Sequence, residues 1–123
     1  MKLLLLFGIF LCCLSVIMGA FGAHALKDRL SAYSMSIYDK AVLYQMFHSL
    51  AIIFTFLIGQ ILNSSQFNIC SWIFLVGIII FSGSLYLLSI TDIKWLGAIT
   101  PIGGMLFIIG WIVLFYLVLK LKI

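Results

Sequence analysis

Apolar residues occupy four long stretches of the chain, separated by short polar links. The stretches cover residues 3–23, 41–62, 70–90 and 96–119. A helix needs about 20 predominantly apolar residues to cross a bilayer, and each stretch is long enough to do so. The pattern therefore predicts four transmembrane helices in a single transmembrane domain, residues 1–123.

The three links between these stretches differ in length and character. Residues 63–69 and 91–95 are short, so the helices that they join should be antiparallel neighbours. Residues 24–40 form a longer link, with three consecutive charged residues and a set of apolar residues at the spacing of one helical face. That set comprises Leu26, Leu30, Tyr33 and Ile37. We expect an all-α integral membrane protein, an antiparallel bundle with an amphipathic interfacial helix in this link, which lies on the membrane or folds into the bundle.

The beginning of the chain admits a second interpretation. A basic residue precedes the apolar stretch, and the Ala-His-Ala at 23–25 resembles a signal-peptidase site. The apolar stretch is, however, nearer the length of a full span than the roughly 7–15 residues of a signal peptide. We expect it to be retained as the first transmembrane helix.

The charge content places the chain in a membrane and excludes several partners. Hydrophobic residues make up 66% of the sequence and charged residues 8%, against about 25% charged residues in soluble domains. The seven basic residues form no cluster with interleaved aromatic residues, so no nucleic-acid partner is expected. They divide three against four between the two sides of the predicted bundle, which leaves the membrane orientation open.

Residue types that carry catalysis or bind metals are scarce. The three cysteines, Cys12, Cys13 and Cys70, form neither a CxxC pair nor a spacing with histidine that would hold a metal, and we expect free thiols. No nucleophile with an adjacent base, no phosphate-binding glycine loop and no carboxylate pair stands within the apolar stretches. The sequence predicts no enzyme, no metal site and no cofactor.

Polar residues within the second apolar stretch form the candidate functional site. Tyr44 and Gln45 lie four and three residues before His48, at spacings that share one side of a helix. An ionisable residue inside a membrane is a functional candidate by default. The predicted cluster also includes three residues at the membrane boundary, namely His24, Lys27 and Asp28. The alternative is a structural role, with a neutral His48 hydrogen-bonded to a serine or tyrosine of the third helix.

Small and hydroxyl-bearing residues in the other stretches predict where helices pack closely. The predicted packing residues are Gly19, Gly22, Ser82, Gly83, Tyr86, Thr100 and Gly104. Pro101 lies inside the fourth stretch, where it lacks the amide donor of a regular helix, and predicts a kink.

Four segments together resemble the YgdD family of small four-span bacterial inner-membrane proteins, which has a eukaryotic transmembrane relative. They are GAFGAHALK (19–27), AVLYQMFHSLA (41–51), FSGSLYLLSIT (81–91) and LGAITPIGGMLFIIGW (96–111). The resemblance implies a multi-pass protein of the bacterial plasma membrane and transfers no biochemical activity. Its motif positions include five of the six candidate residues above, all but Asp28, and most of the predicted packing residues.

Three functional hypotheses follow. The first is a non-enzymatic structural, assembly or accessory component of a membrane complex, surrounded by lipids and joined to a membrane-protein partner or to further copies of itself. The alternative is a small channel or transporter with a polar path along the His48 face. A further alternative is lipid or quinone binding in a groove between helices.

Overall fold

A computed structural model describes residues 2–122. Within them the chain forms four α-helices and no strand, with a π-helical turn at Gly22–Leu26 and a short 3-10 helix at Ser65–Phe67. The helices are α1 (Lys2–Phe21), α2 (Ala32–Ile61), α3 (Asn68–Thr91) and α4 (Leu96–Leu119). All four are long and apolar enough to cross a membrane, which confirms the predicted all-α, four-span fold class.

Neighbouring helices run antiparallel, and α2 and α3 form the centre of the bundle. α1 packs mainly on α2, and α4 packs on α3, while the backbones of α2 and α4 stay apart. Side chains from α2, α3 and α4 build the larger core, in which Ile52, Phe74 and Phe107 are buried. The separation of α2 from α4 leaves a gap between these two helices, with α3 behind it.

The first link folds into the bundle instead of forming a separate interfacial helix. α1 continues through the π-helical turn to Leu26, and α2 already begins at Ala32, where the Ser31 hydroxyl accepts a hydrogen bond from the Ser34 amide at 3.1 Å. The structure therefore shows no separate interfacial helix over residues 24–40 and agrees with the other alternative, a segment that folds into the bundle. Of its apolar face, Ile37 enters the protein, where it and the following Ala41 pack with Leu85 of α3, whereas Tyr33 remains 70% exposed.

Glycines allow α3 and α4 to approach closely. A Cβ atom on Gly103 would lie 2.7 Å from the Cα atom of Phe81, so no side chain fits between the two backbones. Gly22 similarly leaves room for the Tyr38 ring between α1 and α2. At Gly104 a Cβ atom would make an ordinary 3.7 Å contact, and at Gly83 it would meet nothing within 4 Å. Two of the predicted packing glycines thus have space around them.

Hydroxyl groups bond the helices to one another at several levels. Ser82 of α3 donates to the Ala41 carbonyl of α2 at 2.7 Å, and Ser84 of α3 shares a hydrogen bond of the same length with Thr100 of α4. Such bonds hold membrane helices together where burial from water gives no driving force. α4 runs through Pro101 as one continuous helix.

Candidate functional site

The structure separates the predicted polar cluster into three groups. His24, Lys27 and Asp28 lie exposed at the connection between α1 and α2. Gln45 points into the bundle, whereas Tyr44 and His48 face the gap between α2 and α4. The six residues therefore do not form a single site.

Gln45 joins three helices from a buried position. Its side-chain amide donates to the Leu11 carbonyl of α1 at 2.9 Å, and its side-chain oxygen accepts from the Tyr86 hydroxyl of α3 at 2.7 Å. Only 2% of the residue is exposed. With both ends of the amide engaged, Gln45 performs a structural role.

His48 is held by hydrogen bonds on both ring nitrogens. Nδ1 lies 2.9 Å from the Tyr44 carbonyl oxygen, and Nε2 accepts from the indole N–H of Trp111 at 3.2 Å. A carbonyl only accepts and an indole N–H only donates, so this arrangement requires the neutral tautomer with its proton on Nδ1. The side-chain partner of His48 belongs to α4, whereas the structural alternative expected a serine or tyrosine of α3.

Aromatic rings surround this histidine. The Phe107 ring of α4 stacks on the imidazole with centroids 3.5 Å apart and planes 9° apart, and Phe74 of α3 lies 5.5 Å away. Trp111 in turn packs on Phe74 at 4.9 Å. The imidazole of α2 and the rings of Phe107 and Trp111 from α4 thus meet across one end of the gap, and Phe74 packs beneath them from α3.

The remainder of the gap is a lateral cleft with a volume of about 710 Å³. The residues that line it are Leu43, Tyr44, Phe47, His48, Phe81, Pro101, Gly104, Met105, Phe107, Ile108 and Trp111. None of them carries a permanent charge. Its rim residues Phe47, Met105 and Ile108 are each more than half exposed, so the cleft opens on the outer surface of the bundle. We call it the α2–α4 cleft.

Tyr44 supplies the free polar group of the α2–α4 cleft. Its ring packs at 4.6 Å from Phe81 and 6.1 Å from Phe107, and 40% of the residue is exposed. Among residues 2–122 its hydroxyl has no hydrogen-bond partner, in contrast to the nitrogens of His48 and Trp111. A phenol can both donate and accept, so the cleft offers one neutral hydrogen-bonding group.

Sequence reasoning named Pro101 and Gly104, which line the α4 side of the cleft, but missed the α4 residues that contact His48. Phe107 and Trp111 stand one turn apart on α4, and both face His48. A histidine inside a membrane needs a hydrogen-bond partner, and α4 contains few side chains with a donor, among them Trp111. A search for such donors would have identified the tryptophan.

A smaller polar pocket of about 260 Å³ lies at the link between α2 and α3. Asn68 lines it and is 6% exposed, and its side-chain oxygen is buried without a hydrogen-bond partner in the described part of the chain. The other lining residues are Gly59, Gln60, Asn63, Ser64 and Ser65.

Metal-binding and thiol residues remain dispersed. Across residues 2–122 no three histidine, cysteine, aspartate or glutamate side chains come together as a metal site. Cys12, Cys13 and Cys70 are free thiols, and only Cys70 is buried.

The fold and the site define a multi-pass membrane protein with a lateral aromatic cleft. The family model described as "Protein of unknown function (DUF423)" matches residues 18–104. The chain is 48% identical over 122 residues to the UPF0382 membrane protein of Staphylococcus epidermidis, and the match covers 98% of both chains. It is also 48% identical over 116 residues to a UPF0382 membrane protein of Staphylococcus haemolyticus, covering 93% of each.

The chain belongs to this DUF423 family. The relatives confirm the prediction of a bacterial multi-pass membrane protein from a family of unknown function. No solved structure matched the chain.

Proposed function

We propose that this protein is a non-enzymatic membrane protein that binds an apolar ligand from the lipid phase in the α2–α4 cleft. The observation that carries the proposal is the cleft itself, with its volume of about 710 Å³. Small-molecule sites measure roughly 300–1,000 Å³, with mostly apolar walls and few polar groups. The α2–α4 cleft has these properties, and its exposed rim gives direct access to the surrounding lipid.

The structural features favour this function over the two others expected from the sequence. The assembly hypothesis combined the scarcity of catalytic residues with small residues on the helices; of these, Gly22 already accommodates the Tyr38 ring of this same chain, whereas Gly83 and Gly104 have open space. The channel hypothesis needed a polar path through Tyr44, Gln45 and His48. Gln45 is instead fully engaged inside the bundle, on a different side from the other two.

The resemblance to the YgdD family, which is narrower than membership in the DUF423 family, is part of this proposal. The segments quoted above support membership in a group with YgdD and its eukaryotic transmembrane relative. If the chain belongs to that group, the other members would share the α2–α4 cleft, and ligand binding in the cleft would be a property of all of them.

The test compares what the protein retains when it is extracted into native nanodiscs. Gly104→Leu places a large side chain in the cleft, because a Cβ atom there makes only an ordinary contact with Phe81. Gly83→Leu adds the same bulk at an open position that does not line the cleft. We expect mass spectrometry to find an apolar small molecule enriched with the wild type and with Gly83→Leu, and lost with Gly104→Leu.

Two results would contradict the proposal. One is an identical set of bound molecules in all three proteins. The other is a protein partner that only Gly104→Leu releases, which would identify the cleft as an assembly surface and support the first hypothesis from the sequence.

A further inference from the structure

Resting on the proposed function, we infer that the α2–α4 cleft binds a neutral, planar ring that carries an oxygen atom and an apolar tail, as in the prenylated quinones. The ring lies beside Tyr44, whose hydroxyl bonds to the ring oxygen. The tail leaves through the open side of the cleft. The inference concerns binding alone and includes no redox step.

The position of Phe81 and Phe107 favours an uncharged group over a phospholipid headgroup beside Tyr44. The Tyr44 ring packs on Phe81 and Phe107, which lie near the middle of α3 and α4. At 1.5 Å per residue, both stand about 15 Å or more from either end of their helices. In a hydrocarbon core about 30 Å thick these two phenylalanines are placed near the centre, while on α2 the exposed Asp39 and Lys40 stand about one turn before Tyr44. Headgroups remain at the interface, whereas an uncharged ring can enter the centre.

The polar groups of the cleft set the charge and the hydrogen bonding of its ligand. None of the lining side chains is permanently charged, and a charge at this depth would be costly. His48 and Trp111 satisfy each other, with the second histidine nitrogen bonded to the Tyr44 carbonyl. The Tyr44 hydroxyl is then the group available to the ligand. A ring carbonyl, which only accepts, pairs with this donor.

The walls of the cleft favour a flat ring over a flexible acyl chain. Tyr44, Phe81 and Phe107 all line the cleft and pack on one another at 4.6 to 6.1 Å between centroids, so they form one aromatic wall. Rings gain additional attraction from stacked or tilted contacts at such distances, beyond what an alkyl chain gains. Lipid tails are already solvated by other tails, so only such specific contacts give selectivity in a membrane.

The experiment measures binding of a benzoquinone with a ten-carbon tail to the protein in nanodiscs of phosphatidylglycerol and phosphatidylcholine. The chain has three tryptophans, and Trp72→Phe with Trp95→Phe leaves Trp111 alone in the wall of the cleft. Quenching of Trp111 fluorescence then reports the quinone. The variants compared in this background are Tyr44→Phe, Gly104→Leu and the control Gly83→Leu. Tyr44→Phe keeps the ring contacts and removes a hydroxyl that has no hydrogen-bond partner among residues 2–122.

We expect saturable quenching in the parent and in Gly83→Leu, and none in Gly104→Leu. Tyr44→Phe should weaken quinone affinity about five-fold, the equivalent of one ordinary net hydrogen bond. Equal affinity in the parent and Tyr44→Phe, with loss in Gly104→Leu, would overturn this inference and leave the proposed function intact. Failure of the quinone to quench saturably in the parent, while native extraction still retains another apolar molecule, would also overturn the inference alone. A dimer that Gly104→Leu dissociates would place a second copy in the cleft and overturn both.

Discussion

The Gln45 bridge offers the sharpest test of how this bundle is held together. Gln45→Met keeps the length and volume of the side chain but removes its bonds to α1 and α3. Interhelical hydrogen bonds in membranes contribute on average about 0.6 kcal/mol, up to about 1.7. Two of them are lost, and the Tyr86 hydroxyl keeps no partner. We therefore expect the free energy of unfolding to fall by about 2 kcal/mol.

A double-mutant cycle with Tyr86→Phe isolates one of the two bonds. Tyr86→Phe alone leaves the Gln45 oxygen without its donor, and the ring keeps its 5.2 Å contact with Tyr38. We expect the double variant to be about 1 kcal/mol more stable than the sum of the single changes predicts, because the second change removes the orphaned partner of the first.

The assay is reversible unfolding in mixed micelles of lipid and SDS, followed by near-ultraviolet circular dichroism. Tyr33→Phe is the matched control, since Tyr33 is 70% exposed, and it should leave the free energy of unfolding unchanged. Additivity of the Gln45 and Tyr86 changes to within about 0.3–0.5 kcal/mol would refute the reasoning, since it would mean that the two side chains do not interact.

Two further predictions use the same assay. Gly103→Ala should reduce the free energy of unfolding by about 1–3 kcal/mol, because its methyl group meets the backbone of Phe81, whereas the adjacent Gly104→Ala should change it by less than about 0.5 kcal/mol. Equal effects at the two positions would contradict the close approach of α3 and α4. Asn68→Ala should raise the free energy of unfolding by about 1 kcal/mol by removing a buried acceptor without a partner. A decrease there would show that a bound water satisfies the oxygen.

The four helices could be predicted from the sequence because the membrane leaves few alternatives. In hydrocarbon every backbone polar group needs an internal partner, so a long apolar stretch folds as a helix whatever its neighbours. The short second and third links then required antiparallel packing. The first link was less certain, because its apolar face fits a membrane surface and a helical neighbour equally well. Contact of Ile37 and Ala41 with Leu85 decided the matter.

The candidate site could be predicted only in part. The sequence identified Tyr44, Gln45 and His48 as polar residues within a span. It could not tell that Gln45 meets α1 and α3 while the other two face a cleft. In a soluble helix the apolar face marks the core, but lipid is as apolar as the protein interior, so hydrophobicity does not show which side of a helix packs.

The sequence by itself therefore determined the membrane, the number of helices and their antiparallel order. The tertiary structure decided which sides of the helices meet, and so formed the α2–α4 cleft from Tyr44 and His48 on one helix and Phe107 and Trp111 on another. The physical reason is how far apart along the chain the interacting residues lie. Transfer into hydrocarbon acts on each stretch separately, whereas a cleft depends on side chains that lie about 60 residues apart in the chain.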